Sequence, residues 1–132
     1  MQVLSRTLAE CHKRNIDLSV NVLCIFYILS NYRQFQEYVT EQQVGKTVID
    51  VLENQIQRFD LLYSEYIEMW RRNDDKDKIT AKTQLKKLNI LIWKQDKLFF
   101  IALNILLNIS ENLVIEKKMR KAGIVQILCR CL

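Results

Sequence analysis

The 132-residue sequence predicts an all-α fold, a segment of a stacked-helix solenoid in which two helices are extended into a long antiparallel hairpin. Three observations predict it. Turn punctuation is nearly absent, with no proline and only two glycines, Gly45 and Gly123, so the chain changes direction few times. Apolar residues recur at three- and four-residue intervals almost throughout, and no stretch of strict alternation competes. Two pieces of the sequence are repeated in order, the mark of an architecture built from stacked units.

The periodicity predicts helices over 1–12, 16–32, 33–42, 45–72, 78–110, 112–121 and 123–132. Breaks fall at Asn15-Ile16-Asp17, near Asn31, before Gly45, in the charged run Asn73-Asp74-Asp75-Lys76-Asp77, near Ser110 and before Gly123. Asparagine near a helix end bonds the backbone where the chain turns.

The first echo pairs Met1-Gln2-Val3-Leu4-Ser5-Arg6-Thr7-Leu8 with Val125-Gln126-Ile127-Leu128-Cys129-Arg130-Cys131-Leu132. The second pairs Ile25-Phe26-Tyr27-Ile28-Leu29-Ser30-Asn31 with Ala102-Leu103-Asn104-Ile105-Leu106-Leu107-Asn108. Each Leu-x-Asn is followed by a glycine, which places Gly45 and Gly123 at equivalent points between two helices. The repeated unit is therefore an apolar helix ending in Leu-x-Asn, a shorter amphipathic helix, a glycine and a second apolar helix. Such a unit cannot bury its apolar surface alone and must stack on a neighbour. Leu4 and Leu8 at one end, and Ile127, Leu128 and Leu132 at the other, are expected to present stacking faces that neighbouring repeats cover; without them the chain self-associates or is only marginally stable.

The repeat is interrupted by a helical extension over about 53–96. Leu52, Ile56, Phe59, Tyr63, Tyr66 and Trp70 follow alternating four- and three-residue spacing, as do Leu85, Leu88, Ile92, Gln95 and Phe99. These are seam positions of a coiled coil. A turn at Asp75-Lys76 makes the numbers of paired residues add to 151. It sets Trp70 against Ala81, Tyr66 against Leu85, Tyr63 against Leu88, Phe59 against Ile92, Ile56 against Gln95 and Leu52 against Phe99. Gln95 is the exception to apolar pairing, and it needs solvent or a partner. At ~1.5 Å per residue the first arm runs about 40 Å, so its outer half projects as a docking surface for a helical partner.

Composition narrows the function. The net charge of +5 permits an acidic partner without requiring one. The single dense basic patch, Lys117-Lys118-Met119-Arg120-Lys121, reads as a solvated helix face, and the aromatics fit the hairpin seam, so nucleic acid is not expected. No apolar run reaches the ~20 residues of a membrane span. Of the four cysteines, Cys129 and Cys131 are two apart on a helix and diverge, and no CxxC occurs, so neither a metal site nor disulfides are expected. Asp74 and Asp75 sit in an exposed turn where nothing perturbs a carboxyl group. Cys11 and His12 diverge by ~100° on a helix. Two isolated glycines allow no phosphate loop or nucleophile elbow. No catalytic residue, cofactor or enzymatic activity is expected.

Recognition is the reading that remains. Tyr27 with Asn31, and Asn104 with Asn108, are i, i+4 neighbours on the helices that line the concave face of a three-helix solenoid. Asparagine offers an extended peptide both donors and an acceptor. These side chains serve such binding, or brace the turns at the helix ends.

The Leu-x-Asn and glycine-led helices resemble armadillo repeats, and within that class the chain resembles the kinesin-associated protein family. The resemblance covers nearly the whole sequence. It rests on Ile25-Phe26-Tyr27-Ile28-Leu29-Ser30 with Phe35, the charged hairpin, Lys94-Gln95-Asp96-Lys97-Leu98, Ala102 to Asn108, and Lys118-Met119-Arg120 before Ile124-Val125. It implies one armadillo-like segment over 1–132, about two repeats plus a terminal helix, from a subunit several times longer. It also implies a non-enzymatic adaptor that links kinesin-2 motor subunits to cargo proteins, in the cytoplasm and along cilia and flagella. A nuclear-import-type armadillo adaptor for extended peptides is the alternative, although Tyr27 and Asn104 stand where its tryptophans belong, which removes the cation–π surface for lysine.

Overall fold

The computed structural model describes residues 1–72 and 75–131. Seven α-helices, and no strand, occur among the described residues: α1 Gln2–Cys11, α2 Ile16–Ser30, α3 Arg33–Glu41, α4 Val44–Arg71, α5 Asp75–Ser110, α6 Leu113–Lys121 and α7 Ile124–Cys131. Local chemistry sets several ends. The Asn15 side chain accepts from the Leu18 amide at 3.0 Å and opens α2, and Asn112 accepts from Val114 at 2.9 Å and opens α6. At the end of α2, the Asn31 side-chain amide donates to the Tyr27 carbonyl at 2.9 Å, satisfying one of the acceptors a helix terminus leaves open.

Two boundaries differ from the sequence reading in an informative way. α5 begins at Asp75, three residues earlier than expected, because a carboxylate suits the positive end of a helix better than a break. Asn73 and Asp74, the remainder of the expected turn, lie outside the described residues. The two glycines are also not equivalent. Gly123 has φ +78° just before α7, whereas the residue with positive φ before α4 is Gln43, at 53°. Gly45 sits inside the first turn of α4, where an added Cβ would meet Ile109 Cδ1 at 3.0 Å. Gln43 is thus the counterpart of Gly123, and Gly45 is small to admit α5.

Packing joins corresponding helices of the repeated unit. α2 lies against α5, and α4 touches both α1 and α7. Lys94 pairs with Asp17 at 2.7 Å and Asn108 donates to Asn31 at 3.1 Å, each pair 77 positions apart, so α2 and the later part of α5 run parallel in the register of the sequence echo. One apolar core threads through these helices, with Phe26, Leu23, Leu52, Leu98 and Ile105 completely buried. Leu8 and Ile127 are part of it rather than exposed stacking residues, Leu4 is half-buried against it, and Leu132 lies outside the described residues.

α4 and α5 form the most extensive helix pair. Gln95 donates to Gln55 and Gln84 donates to Glu65, so the partner position rises on one helix as it falls on the other, and the two are antiparallel. Along α5 a buried stripe runs through Ala81, Gln84, Leu88, Leu91, Gln95, Leu98, Ala102, Ile105 and Ile109, at alternating three and four spacing, with Ile101 and Leu106 buried beside it. On α4 the matching stripe is Val48, Leu52, Gln55, Phe59, Leu62, Tyr66 and Met69, buried at its base and half-buried outward. Gln55 facing Gln95 makes position numbers add to 150, one less than expected. Leu52, Phe59, Tyr66, Leu88 and Gln95 lie within these stripes. Tyr63, Trp70, Leu85 and Ile92 do not: they are 37–49% exposed. With Ile56 and Phe99, which lie at the base, they occupy the neighbouring heptad position, on one flank of the pair.

Candidate functional site

Of the four residues expected on the recognition face, Asn31 and Asn108 meet where the ends of α2 and α5 come together. The Asn108 amide donates to Ser30 Oγ at 2.9 Å and to Asn31 Oδ1 at 3.1 Å, while Asn31 caps Tyr27. These bonds clamp two helix ends, so Asn31 and Asn108 have a bracing role whatever else they touch. Asn104 donates to its own helix, to the Phe100 carbonyl at 2.7 Å. Tyr27 is half-buried against the core.

Beside them runs an uncovered face of α5 that sequence reasoning did not single out. Trp93, Phe100 and Leu107 are 66–74% exposed at seven-residue spacing. Seventy-seven positions earlier the counterparts of Phe100 and Leu107 are Leu23 and Ser30, both fully buried on α2. The signal was available in the echo itself: α2 packs against α5, and the same face on α5 has no helix over it among the described residues.

A buried polar chain, also unforeseen, ties three helices together. Gln95 Nε2 donates to the Gln55 carbonyl at 2.8 Å and to its side-chain oxygen at 3.1 Å, and Gln55 Nε2 reaches the His12 carbonyl at 3.3 Å. His12 Nδ1 lies 3.1 Å from the Leu8 carbonyl. Cys11 Sγ donates to the same Leu8 carbonyl at 3.8 Å and lies 3.5 Å from Ser19 Oγ, so the neighbouring thiol and imidazole meet at a shared backbone oxygen rather than at each other. No group of three or more His, Cys, Asp or Glu suited to a metal occurs among the described residues. Nor is any described helix long and apolar enough to cross a membrane.

α7 covers the base of the hairpin flank. Arg130 pairs with Asp60 on α4, and a cleft of about 470 Å³ is lined by Ile56, Phe59, Ile92, Phe99 and Cys131. Burial there pushes the Cys131 thiol pKa up, with the Arg130 charge partly opposing it.

The assembled site offers apolar helix faces, side-chain amides and exposed aromatics, which suit contact with other polypeptides. No solved structure matches the chain. The family model described as kinesin-associated protein (KAP) matches it over residues 1–132.

Proposed function

The chain belongs to the kinesin-associated protein family, and from that premise we propose that it is a non-enzymatic adaptor segment that helps join kinesin-2 motor subunits to cargo proteins. The observation that carries the reading is the family match across all 132 residues. The helix arrangement supports it: like helices lie against like, α2 on α5 and α4 between α1 and α7, as an armadillo-type solenoid requires. In this reading the hairpin over about 53–96 is an insertion into that array. Tyr27, Asn31, Asn104 and Asn108 line its concave side, next to the open face of α5. The adaptor works in the cytoplasm and in microtubule-based transport along the cilium or flagellum axoneme.

Affinity capture with the full-length protein tests the reading. Kinesin-2 motor chains are expected to co-purify stoichiometrically. Recovery of karyopherin-type partners without a motor chain would replace this proposal with the nuclear-import alternative.

A further inference from the structure

The outer half of the hairpin leaves an apolar flank uncovered. On α4, Ile56, Tyr63 and Trp70 are seven residues apart, and on α5 so are Leu85, Ile92 and Phe99. Positions seven apart share one side of a helix in a coiled pair, and in an antiparallel pair these two sets fall on the same flank. The base of that flank is occupied, since Ile56, Ile92 and Phe99 line the cleft that α7 closes with Arg130 on Asp60. From the cleft outward the strip continues as a run of neighbouring aromatics: Phe59 stacks on Tyr63 at 5.8 Å, Tyr63 is tilted toward Tyr66 at 6.5 Å, and Tyr66 meets Trp70 edge-on at 6.3 Å. A helix already packs on this flank, and the surface it uses runs on outward with no helix over it among the described residues.

The surrounding charge selects the occupant. From Arg71 to Lys87 the sequence carries seven basic residues, Arg71, Arg72, Lys76, Lys78, Lys82, Lys86 and Lys87, against three acidic ones. Lys78 and Lys82 stand seven and three residues before Leu85, on the same side of α5. Arg71 lines a second cleft with Tyr63, Ile67 and Glu68, so the basic excess on the flank comes from the α5 lysines.

We propose that this flank, built on Tyr63, Trp70, Leu85 and Ile92 and rimmed by Lys78 and Lys82, seats an acidic amphipathic helix of a partner protein. The partner helix lies along the hairpin in line with α7, with apolar residues at three- and four-residue spacing on the aromatic strip and carboxylates toward the lysines. This deepens the adaptor reading by naming a docking surface and the partner chemistry. The two tests are separate: failure to capture a motor chain leaves a peptide result standing, and the reverse.

The test titrates the intact 132-residue chain against two labelled helical peptides that share one leucine stripe, the first flanked by glutamates and the second by lysines, with fluorescence anisotropy as readout. The glutamate peptide is expected to bind, more weakly as salt rises. Trp70→Ala should weaken it roughly tenfold or more, as loss of a central aromatic anchor does. Lys78→Glu with Lys82→Glu, on exposed positions, should invert the preference toward the lysine peptide, and Tyr38→Ala, on the exposed side of α3 away from the hairpin, should change nothing. Equal binding of both peptides by the native chain overturns the proposal, as does unchanged affinity in a Trp70→Ala protein of native circular dichroism. Trp70-dependent binding of a single-stranded RNA, or of phosphatidylserine vesicles, in preference to the glutamate peptide also overturns it.

Discussion

Gln43 carries a conformation that its side chain opposes. Its φ of 53° places it in the left-handed region, where the corresponding residue in the next unit is Gly123 at 78°. An L-residue there costs about 1–2 kcal/mol against the right-handed alternative, whereas glycine does not meet the clash. Gln43→Gly should therefore raise stability by roughly 0.5–1 kcal/mol, and Gly123→Ala should lower it by about 1 kcal/mol. Urea unfolding followed by circular dichroism reads both. The pair Gln55 and Gln95 shows the opposite situation, polar side chains placed in the core and hydrogen-bonded to each other there. Replacing either one by leucine leaves a buried partner group unsatisfied and should cost about 1–3 kcal/mol. The double substitution should cost less than the sum of the singles, and a double-mutant cycle measures the coupling. Sequence flagged Gln95 as a residue in need of a partner. It gave no reason to choose Gln55, because an amide's partner is fixed by which turns of two helices face each other.

At the scale of the element, two long helices were legible, and the register in which they face each other was not. Apolar residues fill three of the seven heptad positions on both arms, so two overlapping stripes satisfy the same spacing. The stripe that meets in the structure includes Gln55, Gln84 and Gln95, which hydropathy ranks low, while the more apolar stripe with Tyr63, Trp70, Leu85 and Ile92 lies on the flank. Once Gln84 finds Glu65 at 3.0 Å and Gln95 finds Gln55, the polar cost of the first stripe is removed. In a protein whose native thiols are replaced, cysteines at 66 and 84 should crosslink faster than cysteines at 66 and 85 under mild oxidation. A reversed order, read on non-reducing gels, would return the register to 151. The native thiols offer a further check at this scale. Cys129 is exposed on α7, while Cys131 lies against the cleft with its thiol pKa raised, so less of it is thiolate at any given pH. Iodoacetamide should label Cys129 first, with peptide mass mapping as the readout.

For the whole molecule, the decisive quantity is the 77-residue offset that relates α2 to α5. It leaves α5 with an open face, Trp93, Phe100 and Leu107, whose later members match positions buried on α2. Apolar surface of this kind promotes association. Sedimentation of the 132-residue chain is expected to show concentration-dependent self-association, and Phe100→Glu with Leu107→Glu should make it monomeric. A chain that stays monomeric at high concentration without these changes argues against this face as the contact.

What the sequence determined by itself was the local and the repetitive: seven helices with ends within a few residues, the repeated order of long and short helices, and the existence of two extended arms. These follow from backbone propensity, capping side chains and apolar spacing, all of which act over one or two turns. The tertiary structure alone decided which of two apolar stripes became the seam, that Gln43 rather than Gly45 is the counterpart of Gly123, and which apolar faces stayed open. Each of those outcomes depends on contacts between residues far apart in the chain, such as Gln55 with Gln95, Gly45 with Ile109 and Asn31 with Asn108. A helix's own sequence shows which side is apolar, but only its packed neighbours determine how much of that side is covered.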